Sequence, residues 1–117
     1  MQSFRELKVY QKAYGLSIEI HKLSLSFPKQ EQFELGVQIR RASKSVALNI
    51  AEGYGKNTTP NEFKRYLSIS NGSCDETRAQ LDYCKDLGYI NETEHKHFEE
   101  GYREVGKMLI SMIKKWV

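Results

Sequence analysis

Apolar residues recur along this chain at steps of four and three. The first series is Val9, Ala13, Leu16, Ile20, Leu23 and Phe27, the spacing of one face of an amphipathic helix and not of a strand. Pro28 is expected to end it, because the residue before a proline is pushed out of the helical region. A second series runs Leu35, Ile39, Ala42, Val46 and Ile50, flanked by Phe33, Ala47 and Tyr54. Gly53 and Gly55 close it, where a left-handed C-terminal cap is expected. Lys56, Asn57, Thr58 and Thr59 then read as a short polar loop.

The third start is marked by chemistry as well as spacing. Thr59 is an N-cap residue, Pro60 suits a first helical turn, and Glu62 completes a capping box. The stripe that follows is Phe63, Tyr66 or Leu67, Ser70, Cys74, Thr77, Leu81 and Cys84, ending at Gly88. Its middle is built from small residues. Gly72 in a helix interior costs about 1 kcal/mol relative to alanine, so close approach by another helix, of this chain or of another subunit, is expected there. Asn91 and Glu94 repeat the cap pattern. Phe98, Tyr102, Val105, Leu109, Met112 and Trp116 form the last stripe. The pattern predicts an all-α, antiparallel up-and-down four-helix bundle, one domain over residues 1–117.

Composition supports this and narrows the function. Apolar residues make up 39% and charged residues 28% of 117, the balance of a soluble globular domain. Pro28 and Pro60 are the two prolines, which leaves long stretches free for helices. No apolar run approaches a membrane span, and the first residues lack the core of a secretory signal. A cytoplasmic protein is expected. In that setting Cys74 and Cys84 read as reduced core residues, and the Asn-x-Ser/Thr triplets at Asn57, Asn71 and Asn91 as turn, cap or surface residues.

Catalytic constellations are missing. His21, His95 and His97 fall in no nucleophile–base pattern. Gly53-Tyr54-Gly55 ends a helix, whereas a phosphate loop opens one. Glu92-Thr93-Glu94-His95 has no second copy to make a di-iron site. No enzymatic activity, metal or cofactor is expected.

Charge is the more informative feature. The net charge is +3, and its distribution is uneven: residues 1–57 carry nine Lys/Arg against five Asp/Glu, residues 58–117 nine against ten. Arg40, Arg41 and Lys44 share one side of the second helix. Two readings of that patch stand open: solvated charge with structural pairing, or phosphate binding joined by Lys56, Lys64 and Arg65. Asn49 falls on the buried stripe, where its amide needs partners. Glu52 is placed to pair with an arginine across a subunit boundary. Tyr10, Tyr14, Tyr54 and Tyr66 are candidates for stacking on bases, or for core and interface packing.

The run Arg40-Arg41-Ala42-Ser43-Lys44-Ser45, with Asn49-Ile50-Ala51-Glu52-Gly53, closely resembles the family of 23S rRNA intervening sequence proteins. Leu7-Lys8-Val9-Tyr10-Gln11-Lys12-Ala13, Phe27-Pro28-Lys29-Gln30-Glu31 and Ser70-Asn71-Gly72-Ser73-Cys74-Asp75-Glu76 match it too. Tyr10 stands where that family often has tryptophan, and Asn71 where a basic residue or alanine is common. The resemblance implies a four-helix bundle and a homo-oligomer, a ring of five. It also covers the accessory variability determinants of diversity-generating retroelements, which bind a reverse transcriptase and nucleic acid. The expectation is a non-enzymatic homo-oligomer that binds nucleic acid, RNA ahead of DNA, through a basic surface. An oligomeric adaptor for a protein such as a reverse transcriptase is the alternative.

Overall fold

The computed structural model describes residues 3–56 and 58–115. A single 3₁₀ turn at Phe4–Glu6 leads into α1 (Lys8–Ser24), followed by one-turn α2 (Lys29–Gln32), α3 (Leu35–Gly55), α4 (Pro60–Asp86) and α5 (Glu92–Lys115). The four long helices are those predicted by spacing. They form an up-and-down bundle of 44 × 22 × 20 Å. Each long helix packs on two others in the cyclic order α1, α3, α4, α5, so that α1 and α4 occupy opposite corners. Among the described residues no helix is long and apolar enough to cross a membrane.

Both predicted caps form, but the expected capping box at Thr59 and Glu62 is only half made. The Thr59 hydroxyl accepts from the Glu62 N–H at 3.2 Å, while the Glu62 carboxylate turns to Arg65. At α5 the box is complete: the Asn91 N–H donates to Glu94 Oε1 at 2.9 Å, and the Glu94 N–H to Asn91 Oδ1 at 2.8 Å. Gly88 has φ 81°, and the Tyr89 N–H reaches back to the Cys84 carbonyl at 2.8 Å. That is the six-to-one closure of a Schellman turn.

Three local expectations are corrected. First, α1 ends at Ser24, before Pro28, and Phe27 is buried from the corner and not from a helical face. Its ring packs against Tyr89 at 5.7 Å. Second, neither Gly53 nor Gly55 is a left-handed cap; both lie inside α3, and Gly88 is the positive-φ glycine. Gly53 serves the crossing with α4, where a Cβ would lie 2.6 Å from Tyr66 Cβ. Third, no other helix of this chain approaches Gly72, which is exposed with nothing within 4 Å of where its Cβ would stand; of the two expected approaches, that leaves the one by another subunit. Its small neighbours make the close approach instead. Ser70 Oγ donates to the Val46 carbonyl at 2.7 Å, Ser45 and Ser73 hydroxyls pair at 2.8 Å, and Cys74 Sγ donates to the Tyr102 carbonyl at 3.1 Å. Trp116 of the last stripe and Asn57 of the loop lie outside the described residues.

These two glycines should respond oppositely to a methyl group. Gly53→Ala forces apart two helices already in contact and is expected to destabilise the bundle by about 1–3 kcal/mol. Gly72→Ala meets open space and is expected to stabilise the isolated chain by about 0.5–1 kcal/mol. Urea unfolding of both variants measures the difference.

Candidate nucleic-acid interface

The predicted basic residues separate by function once placed. Arg40 turns away from solvent into the corner that joins α1 to α3. Its guanidinium donates through Nη1 to Ser24 Oγ at 2.7 Å and through Nη2 to the Gln32 carbonyl at 2.8 Å. Gln32 in turn donates to the Leu25 and Phe27 carbonyls, both at 3.0 Å. One arginine thus satisfies acceptors left over where α1 stops and α2 ends. Arg40 belongs to the structural pairing that the sequence left open.

Arg41 and Lys44 are exposed neighbours on α3. Lys56, Lys64 and Arg65 gather at the α3–α4 loop, where Lys56 and Arg65 are exposed and Lys64 is half-buried. Arg65 lies against Glu62 at 3.1 Å and over the Tyr66 ring at 4.7 Å. The Glu62 hydrogen bond and charge raise its pKa further. Lys44 and Lys56 are twelve residues apart, about 18 Å of helix. The bundle therefore presents two basic groups and not one cluster.

Of the remaining motif residues, Asn49 has a structural role. Asn49 is half-buried, and its amide donates to the Ser45 carbonyl and hydroxyl, both at 2.9 Å. Both partners belong to Ser45, one turn back on the same helix, and they satisfy the amide as a partly buried polar group requires. Glu52 is exposed and has no ion pair among the described residues.

Sequence reasoning missed a second polar surface. A cleft of about 340 Å³ between α4 and α5 is lined by Asn71, Asp75, Arg78, Arg103 and Lys107. Arg78 is held there by Glu99 at 2.6 Å and Asp75 at 3.4 Å. Arg103 and Lys107 are exposed. Their i, i+4 spacing was the available signal. Two histidines also tie helices together. His95 Nε2 meets Asp82 Oδ1 at 2.8 Å, and His97 Nε2 meets Glu19 Oε1 at 2.9 Å.

Reactive chemistry is buried or paired. Burial pushes the thiols of Cys74 and Cys84 up to about 12, far from the thiolate that a nucleophile needs. Burial likewise raises the Tyr102 hydroxyl well above the usual phenol range. That hydroxyl has no hydrogen-bond partner among the described residues; Ser43 beside it donates to the Arg40 carbonyl at 3.2 Å. Among the described residues, no group of three or more His, Cys, Asp or Glu is arranged to hold a metal ion.

An all-α four-helix bundle is the class that the fold defines. Residues 5–111 match the sequence profile of 23S rRNA-intervening sequence proteins, and the chain belongs to that family. It is not a known enzyme family. Among solved structures, the chain is similar to a protein of unknown function from the S23 ribosomal protein family of Bacteroides thetaiotaomicron. The identity is 26% and the TM-score 0.81, over 91% of this chain and 98% of that one. No curated protein matches.

Two outcomes test this placement of residues. Arg40→Ala leaves buried acceptors without a donor and is expected to destabilise the chain by about 1–3 kcal/mol, whereas Arg41→Ala stays within about 0.5 kcal/mol of wild type; thermal unfolding compares them. Cys74 and Cys84 are expected to resist a thiol reagent at pH 8 in the native protein and to react fully in denaturant, as followed by absorbance.

Proposed function

We propose that the protein is a non-enzymatic homo-oligomer, a ring of five, that binds nucleic acid, RNA in particular, through its basic surface. The observation that carries this reading is the charge of α3. Between Glu34 and Glu52 that helix holds Arg40, Arg41 and Lys44 and no carboxylate. With Arg40 committed to the corner, Arg41 supplies the mid-helix phosphate contact. Lys56, Lys64 and Arg65 supply a second group beside the loop. A single such surface binds weakly, with non-specific dissociation constants of about 10⁻⁴–10⁻⁶ M. Repetition of the surface around an assembly raises avidity without new contacts.

A second reading has its own observation. Leu25 and Phe33 are exposed on the connection from α1 through α2 to α3, where apolar side chains fit a protein partner better than a phosphate backbone. On that reading the bundle is an adaptor, with a reverse transcriptase of a retroelement as its partner.

Binding of RNA and of duplex DNA across a salt series decides between them. For the first reading, log K falls steeply with log salt. Arg41→Ala and Lys56→Ala, checked for unchanged oligomeric state, each reduce that slope by about one. Absence of binding even at low salt sinks the nucleic-acid reading and leaves the adaptor.

A further inference from the structure

Helix α4 carries two seams. The inward one, Phe63, Leu67, Ser70, Cys74, Thr77, Leu81 and Cys84, is buried and advances by fours and threes. On the solvent side Ile69, Gly72, Glu76, Ala79 and Tyr83 advance by three, four, three and four, and all five are exposed. A solvent-facing stripe is ordinarily polar. This one has a single charge, with Ile69 41% and Tyr83 64% exposed. Its spacing is that of knobs for a facing helix pair. Gly72, its second member, forgoes helix stability with no return inside the chain.

A receiving surface exists on the same molecule. Between α1 and α3 runs an apolar groove of about 180 Å³, lined by Tyr10, Tyr14, Ile18, Ala47 and Leu48, with Lys44 as its one charge. Tyr14 is 50% and Leu48 63% exposed. The charges select the pairing. Seam against seam brings two copies of Glu76 into one apolar contact, and groove against groove does the same for Lys44. Seam against groove joins Glu76 to Lys44, neither of which has an ion-pair partner among the described residues.

We infer that the outward seam of α4 in one copy docks in the α1–α3 groove of a second copy, head to tail. This rests on the self-association proposed above and adds which faces meet. The two faces lie on different sides of the bundle, since α4 stands at the corner opposite α1. Each copy therefore gives one face and receives the other, the contact type that closes rings or extends filaments. Lys44 then belongs to the contact, and phosphate binding falls to Arg41 and the loop group.

The test uses the full chain with one exposed position changed on each face, Leu48→Glu in the groove and Ala79→Arg on the seam. Circular dichroism verifies the folding of each variant, and sedimentation velocity measures size. The wild type is expected to be larger than a dimer and each variant alone monomeric. An equal mixture is expected to form a one-to-one dimer, because one intact groove and one intact seam remain. The double swap Lys44→Glu/Glu76→Lys is expected to assemble, and each single swap not. Variants that dimerise alone, or a mixture that stays monomeric, overturn the head-to-tail pairing while self-association stands. A wild type that is monomeric at every concentration removes the self-association itself.

Discussion

The close seam between α3 and α4 governs the rest of the structure. Along it, bulk is absent where the helices cross: Gly53 admits Tyr66, and Ser45, Ser70 and Ser73 exchange hydrogen bonds across the interface. Dispersion falls off so steeply that a gap of an ångström forfeits much of each contact. Close crossing therefore lets Ile39, Val46 and Ile50 meet Leu67 and Leu81 in one fully buried core. It also fixes which sides of both helices remain for solvent. Arg41 and Lys44 on α3, and the Ile69–Tyr83 stripe on α4, are outward because the serines and glycine are inward.

A second constraint acts at the far end. The chain must turn from α1 into α3 around Pro28, which cannot donate a hydrogen bond. Arg40, Gln32 and Tyr89 repair that corner, the last through its hydroxyl to Glu31 at 2.7 Å. The repair consumes the first of three cations on α3. What a string of basic residues suggests as a uniform patch becomes one structural tie and two exposed charges.

The fold was legible because its signals are local. Four-and-three spacing, Thr59 with Pro60, and the Asn91/Glu94 box each act within a turn or two of helix, and all correspond to what forms. The misreadings are at places where a distant contact decides. Gly53 and Gly55 carry the composition of a helix end, yet Tyr66 on the next helix requires Gly53 as a spacer. Gly72 carries the composition of a spacer, yet no other helix of its own chain comes near it. The sites of Arg40 and Arg41 differ by 100° of rotation around α3, and only the location of the α2 corner says which is tied. Charge segregation between the halves was readable from residue counts, but its division into a mid-helix group and a loop group depends on helix length and direction.

The hydrogen bonds that join α3 to α4 run through serine hydroxyls and the Gln38 and Gln80 amides, all neutral. Ionic strength acts on exposed charges and hardly on buried neutral pairs. Interior and exterior thus answer to different solution variables. Counterions can screen the exposed cations of α3 while α3 and α4 keep their register, so a polyanion bound there, as proposed, would leave without any loosening of that seam.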